Sequence, residues 1–159
     1  MATPASIGKH PIHPMLIPFP LALWIFSFIC DLVYFFGWGS VFWKDVAFFS
    51  MAGGVIGALL AAVPGYLDYR SLRAPNVQRI GLWHMGINLS IVILFAINLW
   101  VRSVIETGSH WPILLSLIGV AMLGVSGWLG GELVYVHGVA VDQETMDSMG
   151  ALNKRDRAA

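Results

Sequence analysis

The hydropathy pattern falls into four long apolar blocks separated by short polar stretches, at about residues 15–36, 46–66, 80–101 and 111–135. Each block is long enough to cross a hydrocarbon core of roughly 30 Å at about 1.5 Å of helical rise per residue. None keeps a polar stripe at helical spacing, so these blocks suit lipid better than water. The pattern predicts an all-α fold, an integral membrane four-helix transmembrane bundle, as a single domain over 1–159 with a polar tail at about 142–159. The tail reads as a loose segment, with a short helix on Met146, Met149 and Leu152 as the alternative.

Prolines and glycines mark the joints. Pro14, Pro18 and Pro20 fall in the first turns of the first span; Pro14 suits a helix start, whereas Pro18 and Pro20 predict a bent or loosened entry. Gly37-Trp38-Gly39-Ser40, with Trp43 and Lys44, reads as an aromatic turn at the membrane surface. In the second span Gly53-x-x-x-Gly57 and Ala58-x-x-x-Ala62 allow close approach of a helix, from within the chain or from a partner. The fourth span holds Gly119, Gly124, Gly127, Gly130 and Gly131. A short internal echo, Gly65-x-Leu67-x-Tyr69 against Gly131-x-Leu133-x-Tyr135, suggests two parallel helical hairpins related by an axis along the membrane normal.

Composition agrees with a membrane setting. Apolar residues make up 57% of the chain and charged residues 11%, against roughly 45–50% and 25% in soluble domains. A net charge of zero leaves no field to attract nucleic acid. The single cysteine, Cys30, excludes an intrachain disulfide or a multi-cysteine metal site and reads as a buried apolar residue. The apolar run after Lys9 is too long for a cleavable signal, and no small-x-small site follows it. With an even number of spans both termini share a side. Lys9, Arg70, Arg73, Arg79, Lys154, Arg155 and Arg157 fall there, and only Lys44 and Arg102 on the other. That asymmetry predicts a cytoplasmic location for both termini in a bacterial inner membrane.

The same threading gathers His10, His13, His84 and His137 at one membrane face, with Asp68, Tyr66, Tyr69, Arg70, Glu132 and Tyr135, and leaves His110 at the other. His84 lies about four residues, roughly 6 Å, inside its span. An ionisable side chain at that depth usually meets a partner or a cavity. Imidazole suits haem iron, copper and zinc, and bundle sites draw ligands from facing helices. His13 and His84 are therefore candidate ligands for haem b or a metal, with His137 as a further metal ligand and Glu132, Asp68 and Tyr135 in support. Two readings stand here. In the other, His13 caps a helix, His84 hydrogen-bonds a neighbour such as Glu132, and His137 sits among the headgroups. Asp31, near the end of the first span, is expected to reach water or pair with Lys44. Asn88 and Asn98 suit interhelical hydrogen bonds. No nucleophile and base occur at credible spacing, so no enzyme is predicted.

Three stretches carry a family resemblance: His10-Pro11-Ile12-His13-Pro14-Met15-Leu16-Ile17-Pro18-Phe19-Pro20, Pro64-Gly65-x-x-Asp68, and Gly131-Glu132-Leu133-Val134-Tyr135-x-His137-Gly138. Together the chain resembles the small bacterial membrane proteins catalogued as domain of unknown function two-two-three-one, over about His10 to Val141. Relatives commonly read His-Phe-Pro where this chain has Pro18-Phe19-Pro20, so a ligand set needing that histidine is incomplete. The resemblance implies a four-span membrane domain. Some relatives are joined to Rieske-type or c-type cytochrome domains, which implies, by association, an electron-transfer setting. Three functions follow as expectations: a redox-associated protein holding haem b or a metal, within or beside a respiratory complex; a non-catalytic structural subunit of a larger membrane assembly or a homo-oligomer; and a small transporter or channel.

Overall fold

The computed structural model describes residues 3–104 and 109–141; the polar C-terminal tail lies outside these. A two-residue hairpin opens the chain, β1 (Ser6–Ile7) pairing with β2 (His10–Pro11). Gly8 and Lys9 turn it with φ of 55° and 68°, the paired left-handed residues of a tight hairpin turn. Five helices follow: α1 (Ile12–Leu16), α2 (Pro18–Phe35), α3 (Phe42–Ser71), α4 (Pro75–Val104) and α5 (Trp111–Gly131), and a π-helical turn over Glu132–Val136 ends the fold. With α1 and α2 forming one transmembrane unit and the π turn extending α5, four helices are long and apolar enough to cross a membrane. The expected all-α four-helix bundle is the fold observed.

The proline-rich entry behaves as its chemistry requires. α1 stops at Leu16, Ile17 stays helical, and α2 restarts at Pro18, because Pro18 and Pro20 bring no N–H for the preceding turn. The second span is longer than its apolar block. α3 continues through Pro64 to Ser71, where the block itself stops near Tyr66. Pro64 leaves the Leu60 carbonyl without its intrahelical donor, yet packing around Pro64, which is buried, holds the helix together. At 30 residues each, α3 and α4 are about 45 Å long and project beyond the hydrocarbon core.

Small residues let the helices approach within the monomer. A Cβ on Gly53 would meet Leu23 at 3.3 Å and one on Gly57 would meet Pro20 at 3.3 Å, so the Gly-x-x-x-Gly face of α3 seats α2. The core centres on Trp24, Met51, Ile91, Phe95 and Leu123. Trp38, Trp83, Trp100 and Trp111 are exposed near the helix ends, where an aromatic belt belongs.

One contact plan serves both hairpins. Trp24 of α2 lies over Gly54 of α3, and Phe95 of α4 lies over Gly119 of α5; the two rings stack with centroids 4.5 Å apart. Ser27 donates to the Ala47 carbonyl at 2.7 Å, and Asn98 to the Pro112 carbonyl at 2.9 Å. Asp31 and Arg102 hold the same paired positions and meet in a bidentate ion pair, Nη1 to Oδ1 at 2.8 Å and Nη2 to Oδ2 at 2.5 Å. Asp31 thus pairs with Arg102 and not with Lys44. The Lys44 amine instead sits 5.1 Å over the Tyr34 ring, and Arg102, on a facing helix, is a better match because its planar fork satisfies both carboxylate oxygens. Throughout, the register aligns Gly65 with Gly130 rather than Gly131. The π turn absorbs one extra residue, which is why the Tyr69 and Tyr135 echo is displaced by one.

The N-terminal hairpin is fastened to the bundle by one buried carboxylate. The Ala5 N–H donates to Asp68 Oδ1 at 3.1 Å, and the Ile12 N–H donates to the Ala5 carbonyl at 2.9 Å. Ala5, Thr3 and Asp68 are all buried. The position matching Asp68 in the second hairpin is Leu133, also buried. Asp68→Leu is therefore expected to release the hairpin while leaving the bundle folded, at a cost of about 1–3 kcal/mol for the orphaned amide. Limited proteolysis at Lys9 checks this: cleavage accelerates in the variant, and an unchanged rate would remove Asp68 as the fastening.

Candidate functional site

At the end of the bundle that holds the N-terminus, the first residues of the two hairpins bring His13 and His84 together. His13 follows Pro11, whose fixed φ starts α1, and is carried across to α3. Its Nδ1 lies 2.8 Å from the Ala61 carbonyl, in the turn that Pro64 has already loosened. The ring occupies the space of an absent side chain: a Cβ on Gly65 would come within 2.6 Å of His13 Nδ1. His84 repeats the arrangement on α4. Its Nδ1 lies 3.0 Å from the Ser126 carbonyl, and a Cβ on Gly130 would lie 3.1 Å from its Cε1. A carbonyl oxygen only accepts, so both rings carry their proton on Nδ1.

The two imidazoles are neighbours in an edge-on arrangement, with centroids 6.5 Å apart and planes at 90°. Nε2 is the nitrogen left with a lone pair in each. Around His84, the Asn88 amide donates to the His84 carbonyl at 2.8 Å and to Ser126 Oγ at 2.7 Å, and lies 3.2 Å from His84 Nε2; Ser126 Oγ is also 3.3 Å from Nδ1. Around His13 the neighbouring polar group is Asp68, whose carboxylate lies within electrostatic reach of the ring. The halves therefore share the device that orients each ring and differ in what surrounds it.

Of the other residues singled out from the sequence, His10 is exposed in β2 and Pro18 is exposed on α2. Glu132 starts the π turn and is half-buried, Tyr135 is 90% exposed, and His137 closes the turn with its N–H on the Glu132 carbonyl at 3.1 Å. Among the described residues no group of three or more His, Cys, Asp or Glu side chains converges as metal ligands would. His110, at the opposite end, packs edge-on against Phe35 at 5.5 Å.

Ala61 and Ser126 contribute backbone carbonyls, which no side-chain pattern reveals. Gly65 stood in the sequence as part of the Gly-x-Leu-x-Tyr echo and Gly130 among the small residues of the fourth span, yet each makes room for an imidazole. Their signal would have been a glycine four positions beyond the accepting carbonyl in both hairpins.

Four apolar spanning helices with a polar pair held between them define a polytopic membrane protein. The family model for predicted membrane proteins, DUF2231, matches residues 9–143, and the chain belongs to that family. No curated protein and no solved structure matches it.

Proposed function

We propose that the protein holds a metal centre in the membrane through Nε2 of His13 and of His84, and that it serves electron transfer beside a redox complex of a bacterial inner membrane, with both termini cytoplasmic. The observation that carries the reading is the shared tautomer. Metal-binding histidines generally donate their other ring N–H to a carbonyl or carboxylate, which fixes the ring and raises its basicity. His13 and His84 both do so, toward Ala61 and Ser126, on facing helices and against glycines that admit the rings. Asp68 supports the His13 side with a buried negative charge, and Asn88 and Ser126 support the His84 side. His137, Glu132 and Tyr135 have no part in this reading. A redox-active metal bound by two imidazoles, a copper or iron ion or haem b, would supply a one-electron couple at a fixed depth.

The test is metal and haem analysis of the protein purified in mild detergent. Wild type is expected to retain a stoichiometric centre, and His13→Ala and His84→Ala to lose it. Equal content in all three would remove the reading. A second reading, a structural subunit of a larger assembly, draws on Gly124 and Gly127, which face open space. A transporter or channel draws no support from the axis, which Pro20, Ile91, Trp24 and Phe95 fill as buried residues.

A further inference from the structure

A porphyrin and a bare ion make different demands on the space around two imidazoles. Haem would insert a planar macrocycle, far wider than an imidazole, between the rings and their surroundings. Below the pair, Pro20 and Ile91 are buried and Trp24 stacks on Phe95 with planes 13° apart. Beside it, the clefts over Gly65 and Gly130 are taken by the imidazoles themselves. At the outer end, the hairpin fastened to Asp68 by Ala5 leads directly into His13. These residues do not fit a haem.

The spacing does fit one ion. With the roughly 2.0–2.1 Å of a zinc–imidazole bond as a guide, and about 1.1 Å from ring nitrogen to ring centre, collinear imidazoles on one ion have centroids about 6.2–6.4 Å apart. A direct N–H···N hydrogen bond would draw them to about 5.2 Å. The observed separation is 6.5 Å with perpendicular planes, which also keeps the ring hydrogens of the two imidazoles apart.

Ligand number and charge narrow the ion. Zinc takes four ligands in closed sites, and three with water in open ones. Two imidazoles satisfy a closed-shell monovalent ion that favours collinear coordination, and of the metals suited to imidazole that ion is copper(I). Its single charge is matched by a carboxylate within electrostatic reach of His13, Asp68, which is buried and bonded to the Ala5 amide. Asn88 would have to withdraw from His84 Nε2, and its amide keeps both other acceptors, the His84 carbonyl and Ser126 Oγ.

We propose that the His13–His84 pair takes a single copper(I) ion and not a haem; this rests on the reading of the pair as the metal site. The experiment is anaerobic competition of the full-length protein in detergent against a chromophoric copper(I) chelator, with zinc(II) and haemin added in parallel. Wild type is expected to withdraw one copper(I) per chain. His13→Gln and His84→Gln keep a side chain able to bond the carbonyls. Loss of a mere supporting partner already costs 10–100-fold, so loss of one of two ligands is expected to weaken binding by at least on the order of a hundredfold. His10→Ala is expected to leave the affinity unchanged, and matching unfolding midpoints for all variants separate lost ligation from lost folding. X-ray absorption of the copper form should show two nitrogen neighbours. Haem or zinc binding that depends on both histidines, without copper(I) binding, overturns the copper assignment and leaves the metal-site reading standing. Absence of any histidine-dependent binding overturns both.

Discussion

Arg102→Ala should lower the stability of the protein by about 3–5 kcal/mol, the usual cost of stranding one member of a buried ion pair. Both side chains of the Arg102–Asp31 pair are only 8% exposed, and the surrounding groups are matched to it. Arg102 Nε donates to Asn98 Oδ1 at 3.1 Å, Nη2 lies 3.2 Å from Ser116 Oγ, and Ser116 donates to Asp31 Oδ2 at 3.2 Å. Removing the guanidinium leaves a carboxylate that neither lipid nor the remaining hydroxyl can neutralise. Asp31→Asn should cost less than Arg102→Ala, because the amide still accepts one N–H and the stranded cation lies near the end of α4, within reach of the headgroups. The reversed pair, Asp31→Arg with Arg102→Asp, should recover part of the loss. Unfolding in mixed micelles of increasing sodium dodecyl sulfate, followed by tryptophan emission, measures all four. A midpoint for Arg102→Ala within a few tenths of a kcal/mol of wild type would show that the pair contributes nothing. The pair also has a consequence for assembly. Opposite charges at matching positions of the two hairpins favour joining first to second, and two copies of either hairpin would set like charges against each other.

The second large effect is expected at the glycines beneath the stacked rings. A Cβ on Gly54 would fall 2.5 Å from Trp24 Nε1, and one on Gly119 would fall 2.6 Å from Phe95 Cζ. Trp24 and Phe95 are themselves enclosed, at 3% and 0% exposure, so neither ring has room to retreat. Gly54→Leu and Gly119→Leu should each cost at least the roughly 1–3 kcal/mol of an overpacked core. Because helices in lipid associate through close packing rather than through apolar transfer, the cost should appear as separation of the helices. Gly124→Leu is the control: nothing lies within 4 Å of its Cβ position, so its midpoint should stay within about 0.5 kcal/mol of wild type. Equal loss at Gly124 and Gly119 would mean that the substitutions act on insertion rather than on this packing.

Much of the fold was legible because a bilayer imposes it on composition. The spans and their number follow from apolar length alone. Asn98 was readable as a residue that bonds between helices, since an amide at that depth must find a partner, and it finds Pro112 and Ser116. The partner of Asp31 was not readable. Lys44 lies nearer in sequence and at the same membrane face, and nothing local says that Arg102 turns inward. The registers of Gly65 with Gly130 and of Trp24 with Phe95 were equally hidden. The aromatic residues differ, and the π turn breaks the spacing that a sequence echo needs.

Of the site, the sequence by itself determined that His13 and His84 reach the same membrane face, because two spans of known direction begin there. That the rings meet was decided by the tertiary structure. The entry prolines turn α1 toward α3, Gly65 and Gly130 admit the rings, and two backbone carbonyls fix the same nitrogen of each as the donor. Hydropathy reports how far a residue lies along the membrane normal. It carries no information on the direction a side chain takes around its helix, and that direction brings the rings of His13 and His84 together.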